Sequence, residues 1–209
     1  MIILVTGAGG PTGEAVTGYF RKNGHTVIGV DKQDVDLLDR AAVNDLAGRI
    51  DREHGRVDGV VHLVGGWRGG GSFADTDLAD WDALHDLLIR TLQHVSLAFE
   101  PLLRRSDNGR FVIVSAKAAQ NPEAGGAAYA AAKAASEAWT LSLADALRGT
   151  SSAATILVVK ALVNDAMRAA KPDAAFAGFT DVDDLAAAVG SLYDRPAQEI
   201  NGTRWDLTS

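Results

Sequence analysis

The chain has no cysteine in its 209 residues, which excludes a disulfide framework and any cysteine-ligated zinc site. It also has no surplus of positive charge. Twenty Lys+Arg stand against 27 Asp+Glu, a net charge of −7, whereas a phosphate-backbone binder needs basic residues to displace counterions. Nucleic acid is therefore not an expected partner. No apolar run approaches the ~18–20 residues needed to span a bilayer, so no membrane partner is expected either. The opening run Met1 to Val5 reads as a strand and is too short for the apolar core of a signal peptide, which makes the cytoplasm the expected location. The five histidines (His25, His54, His62, His85, His94) show no metal-ligand spacing, and no metal is expected. Hydrophobic residues at 47% and charged residues at 22% exclude wholesale disorder. Glycine is what the chain has in abundance, with 22 residues, and their placement carries the functional reading.

A chain of this length fits one domain with a full core, here residues 1–209. β-Branched runs alternate with helical patterns, the sequence form of a parallel sheet covered on both faces. Strands are expected at 2–5, 26–30, 57–64, 111–115, 154–159 and 201–207. Helices are expected over about 13–23, 39–54, 80–104, 127–147 and 181–193. The segments 65–72 and 116–126 read as loops, and 160–179 as less regular chain. The fold class is α/β: a single-domain, three-layer α/β/α doubly wound parallel sheet of the Rossmann type.

The first glycine cluster, Thr6-Gly7-Ala8-Gly9-Gly10-Pro11-Thr12-Gly13, lies between the first strand and the first helix. Gly7, Gly10 and Gly13 permit a tight turn, close approach of a pyrophosphate and close helix–strand packing, and the helix N-terminus supplies free amides and positive potential. Pro11 suits the first helical turn, and Thr12 belongs to the same phosphate-facing loop. Asp31 closes the second strand, 18 positions after Gly13. A carboxylate there accepts hydrogen bonds from ribose hydroxyls and repels a 2′-phosphate, so NAD(H) is expected in preference to NADP(H). Lys32 beside it works against that preference, and a plain turn-forming role for Asp31 remains open.

Tyr129-Ala130-Ala131-Ala132-Lys133 places a phenol and an ammonium four residues apart, on one face of the Ala-rich helix. A nearby cation lowers a phenol pKa from ~10, which makes Tyr129 a candidate acid–base group. With the glycine cluster, the element order and a strand ending at Ser115, the chain resembles the short-chain dehydrogenase/reductase family over nearly its whole length. The resemblance implies a nicotinamide-dependent oxidoreductase. Tyr129 would be the proton donor, Lys133 the ribose anchor, Asp36 and Leu37 adenine contacts, and Val64, Gly65, Gly66 and Val163 further cofactor contacts.

Several positions depart from the family pattern. His62-Leu63-Val64-Gly65 stands where Asn-Asn-Ala-Gly is usual, and Ala116 stands where the catalytic serine is expected, with Ser115 one position earlier. Leu88, Lys160 and Asp165 replace other habitual residues. These changes are similar to the dihydropteridine reductase subgroup, as are the Gly65-Gly66-Trp67 loop, Ala116-Lys117-Ala118-Ala119 and Lys171-Pro172. A preorganised donor to a carbonyl oxyanion is worth ~2.7–4 kcal/mol, so its loss suits a conjugated, quinonoid or pterin-like ring that spreads the incoming charge. Trp67 and Ala116 would line such a substrate's pocket, Trp67 by stacking. Two rivals stay open: a carbonyl or alcohol oxidoreductase using Ser115, and a dinucleotide-binding regulatory protein without turnover. The expected partners are a small-molecule substrate and further copies of the chain, as a homodimer or homotetramer built on the long helices 80–104 and 127–147.

Overall fold

The computed structural model describes residues 1–208. Its sheet is built from runs too apolar to face water on either side. β1 (Ile2–Thr6), β3 (Gly59–His62), β4 (Arg110–Ala116) and β5 (Ala153–Val159) are buried almost throughout. β2 (Thr26–Val30) and β8 (Arg204–Asp206) form the more exposed edges. All six pair in parallel, in the order β2-β1-β3-β4-β5-β8. A separate two-stranded sheet joins β6 (Leu162–Val163) to β7 (Thr180–Asp181).

Side chains alternate across the strands, giving each face its own core. On one face, Leu4, Val60, Phe111, Ile113 and Ile156 meet α2 (Arg40–His54), α4 (Thr91–Arg104) and α5 (Ala127–Ala146). On the other, Ile3, Val5, Val61, Val112 and Leu157 meet α1 (Pro11–Lys22), α7 (Val182–Ser191) and the short α8 (Ala197–Ile200). This is the expected three-layer α/β/α fold. The order reverses at β1, which sends the chain out to β2 on one side while β3 continues on the other. Crossovers diverge at such a switch point and leave a crevice at the strands' C-terminal ends.

The expected helix over 80–104 is interrupted. α3 (Leu78–Leu84) passes into a π-helical segment, His85–Arg90, before α4 begins. Carbonyls in the widened turn take hydroxyl donors: Thr91 Oγ1 donates to Leu87 O at 2.7 Å, and Ser136 Oγ from α5 reaches Leu88 O at 3.0 Å. Spacing of apolar residues does not reveal such a turn, because it depends on these side-chain donors. In the irregular 160–179 stretch the chain forms β6 and the short helix α6 (Asp165–Ala170). No helix among the described residues is long and apolar enough to cross a membrane.

Candidate active site

The loop after β1 is shaped by two glycines. Gly7 has φ +75°, a conformation L side chains rarely adopt, and its amide donates to Val30 O at 2.9 Å. A Cβ on Gly13 would collide with the Gly7 carbonyl oxygen and with the Ala8 backbone, so only glycine lets α1 approach β1 this closely. Gly10 forms the helix N-cap without a side-chain hydrogen bond, and Pro11 follows it. By contrast, the Asp39 carboxylate caps α2 through Ala41 N and Ala42 N. The first amides of α1 thus remain available to an anion, with the positive end of the helix dipole behind them. This backbone cradle fits a dinucleotide pyrophosphate.

Thr12 opens from this loop into a cavity of about 950 Å³ above the C-terminal ends of β3, β4 and β5. Tyr129 and Lys133 line it one helical turn apart on α5. Lys133 is 8% exposed, and its Nζ donates to Val114 O of β4 at 2.8 Å. Burial lowers its pKa to about 8, with the Glu137 charge opposing the fall. The Lys133 ammonium stands 5.8 Å from the centroid of the Tyr129 ring. Burial raises the Tyr129 pKa, against the lowering expected from its neighbour. The ammonium's proximity is to the ring and its hydrogen bond goes to a carbonyl, so desolvation of the phenolate prevails. Tyr129 is held as a neutral phenol, the form that donates a proton.

Behind this pair lies a chain of hydroxyls that pins His62. Thr91 spends its single proton on Leu87 O, so it must accept from His62 Nε2, which lies 3.3 Å away. His62 Nδ1 then accepts the Thr6 hydroxyl at 2.8 Å. Burial, followed by the Lys133 charge, pushes the His62 pKa down to about 3, so the ring is neutral. His62 ties the ends of β1 and β3 to the π-helical segment. Its imidazole is a structural strut, in keeping with its place in a buried strand.

The cavity's outer wall is formed by Val64, Gly65, Gly66, Trp67 and the segment around Lys117, Asn121 and Lys160. Gly70 N donates to Gly125 O at 2.8 Å, which stitches the glycine-rich loop to the turn preceding α5. Trp67 lines the cavity yet is 64% exposed. Ala116 lines it where the sequence leaves the family serine missing.

Comparison with known proteins now decides the family. A sequence profile described as short chain dehydrogenase matches residues 32–175, the stretch that holds Asp31's successor loop, Tyr129 and Lys133. The chain belongs to the short chain dehydrogenase family. Its fold is that of the family's oxidoreductases, and Tyr129 and Lys133 fall within the matched residues. A curated relative, the NADP-dependent 3-hydroxy acid dehydrogenase YdfG of Escherichia coli O6:H1, is 27% identical over 168 residues, covering 72% of this chain and 68% of the relative. Two solved structures share the fold with TM-scores of 0.85 at 23% identity, each covering 98% of this chain and 95% of theirs. They are a short chain dehydrogenase from Shigella flexneri complexed with NADP and one from Escherichia coli CFT073 complexed with NADPH.

These findings overturn the expected preference for NAD(H): the curated relative is NADP-dependent, and these two structural neighbours hold NADP or NADPH. One oxygen of Asp31, Oδ1, is taken by the Gln33 amide at 2.8 Å while Oδ2 still lies over Gly9 of the loop, and the exposed Lys32 next to it is a cation that suits a 2′-phosphate. Three other expected residues are not in the lining of this cavity. Leu37 is packed in the core with Val35 and Val43, and its carbonyl accepts from His94 Nδ1 at 2.9 Å, because the turn after β2 folds inward. Asp36 uses Oδ1 on the Leu38 amide at 2.9 Å. Val163 is 1% exposed in β6, and its neighbour Leu162 faces the cavity instead.

Ser115 borders the cavity, but its hydroxyl turns into the core and donates to Glu137 Oε1 at 2.5 Å. The alternation of β4 puts Ser115 on the α5 side, one residue out of step with Ala116. Sequence reasoning missed Glu137. The signal was present in the third member of the Tyr129–Lys133–Glu137 spacing.

Proposed function

We propose that this short chain dehydrogenase is an NADP(H)-dependent oxidoreductase that interconverts a small oxo acid and its hydroxy acid. The observation that carries the reading is one continuous cavity from Thr12 of the phosphate loop to Tyr129 and Lys133. A bound nicotinamide dinucleotide supplies the hydride equivalent. Gly7 and Gly13 shape the loop for its pyrophosphate, and Lys133 offers its remaining N–H groups to a ribose while anchored on Val114 O. Tyr129 gives its proton to the substrate oxygen in reduction and takes it back in oxidation. An acidic substrate agrees with the charged residues that line the cavity, Lys117, Lys133 and Lys160 with Glu123, Lys117 being paired with Asp206, in a chain whose net charge is −7. It agrees also with the name of the curated relative.

A second reading is favoured by the engagement of Ser115 with Glu137 and by Ala116. With no serine donor aimed at a substrate oxygen, a conjugated pterin-like ring stacked near Trp67 would need less oxyanion support. NADPH oxidation measured with short 2- and 3-oxo acids, simple ketones and quinonoid dihydropterin separates the two. Turnover of oxo acids, lowered ~10²–10⁴-fold in Tyr129→Phe, is the expected result. Turnover of the dihydropterin alone would move the assignment to the second reading. NADPH binding with the same turnover in Tyr129→Phe as in the parent would make the chain a binding protein.

The same reading includes a cytoplasmic location and a homodimer or homotetramer. Leu97 on α4 and Leu141 on α5 are 53% and 42% exposed, and they present apolar surface on the two long helices of one layer.

A further inference from the structure

We infer that Glu137 is a positioning residue of the active site: held between Ser115 and Arg204, it sets the charge and placement of Lys133. The inference rests on the proposed oxidoreductase reading, in which Lys133 acts as a cation beside Tyr129. Tyr129, Lys133 and Glu137 occupy three successive turns of one face of α5. Two consecutive residues of β4 grip that face. Val114 takes Lys133 Nζ on its carbonyl at 2.8 Å, and Ser115 donates its hydroxyl to Glu137 Oε1 at 2.5 Å. Arg204 on the edge strand β8 completes the grip with two bonds, Nε to Oε2 at 2.8 Å and one terminal nitrogen to Oε1 at 3.1 Å. The Glu137 carboxylate is 9% exposed and the Arg204 guanidinium side chain 25%.

A carboxylate this buried, gripped from two strands, is costly unless both oxygens are hydrogen-bonded, and three donors serve them here. Its charge has a second consequence. Lys133 is buried and tends to lose its proton, and the Glu137 charge opposes the loss. Among the described residues, the other groups about Lys133 do not replace it: His62 on β3 is neutral, Tyr129 on α5 is a neutral phenol, and Lys117, beyond β4, is paired with Asp206 at 3.5 Å. Lys160 is a further cation, and Glu123 is a solvent-exposed residue of the cavity lining. Arg204 is bonded to Glu137 and its positive charge offsets that of the carboxylate, so the inference requires the two halves of the ion pair to act on Lys133 in opposite directions, which a packing role alone would not do.

The test reads Lys133 directly in the protein without substrate. The chain has six lysines, so ¹³Cε-lysine NMR can follow Lys133, assigned by the resonance lost in Lys133→Met. In Glu137→Gln the titration midpoint should fall from about 8 by roughly one unit, since the favourable charge is lost and Arg204 is left unopposed. In Arg204→Gln it should rise. The alkaline limb of the NADPH-dependent rate should move the same way in each variant. Midpoints that stay at the parental value, or that shift in the same direction in both variants, overturn the inference. If Glu137→Gln fails to fold, the rise or its absence in Arg204→Gln decides. The NMR midpoints judge Glu137 even where no turnover is found, so they separate its failure from failure of the proposed reaction.

Discussion

Gly13 shows how a single missing carbon shapes a loop. Its α-carbon lies where a methyl group would strike the Gly7 carbonyl and the Ala8 backbone, neither of which is a flexible side chain. Gly13→Ala must therefore push α1 away from β1, lengthening the reach from the helix amides to a phosphate. The expected result is NADPH affinity weakened by at least ~10-fold, with a lowered unfolding temperature, measured by fluorescence titration and calorimetry. Gly10 offers a contrast, since a methyl group there meets only the Gly7 carbonyl oxygen at 3.7 Å, an ordinary contact. Unchanged binding in Gly13→Ala would show that the loop does not hold the cofactor. Both glycines were legible from the sequence as a spacing, but only the packed structure distinguishes the indispensable one from the tolerant one.

Among the elements, the junction of β1, β3 and the π-helical segment depends on a neutral His62. Its folded pKa of about 3 lies below the ordinary 6.5, so the folded state binds fewer protons than the unfolded chain between those values. Stability from this group is complete above pH ~6.5 and is lost as pH falls toward 3, by on the order of 5 kcal/mol in all. Thermal midpoints of the parent should drop on acidification below pH ~6.5. In His62→Gln, whose amide can accept from Thr6 and donate to Thr91, the drop should be visibly shallower. Equal slopes in the two proteins would remove His62 from the acid-sensitive groups. The buried, structural role of this histidine was readable from its strand. The π-helical segment it braces was not, because the turn depends on Thr91 and Ser136 hydroxyls meeting carbonyls brought close only by folding.

On the scale of the whole molecule, the proposed assembly turns on the exposed apolar residues of α4 and α5. Leu97→Arg with Leu141→Arg places charge on both helices without touching the core clusters beneath. Sedimentation should show a multimer for the parent and a monomer for the double variant, with the same far-ultraviolet circular dichroism. A monomeric parent would end the proposal. The sequence pattern located both helices to within a few residues, yet the face each presents outward emerged from the packing against β4 and β5.

The sequence by itself determined the layered α/β architecture, the glycine-rich loop before α1 and the placing of Tyr129 and Lys133 on one helix face. Each is written in local terms: apolar runs that cannot meet water, glycines where a helix begins, and residues one helical turn apart. What only the tertiary structure decided is where side chains aim when strands alternate and turns fold back. Ser115 went to Glu137, Leu37 to the core and Asp31 to its own turn. The physical reason is the two-residue period of a strand and the demand of every buried polar group for a partner, which link positions far apart in the chain. Ser115 and Glu137 are 22 residues apart, Glu137 and Arg204 67, and no spacing rule in the sequence connects them.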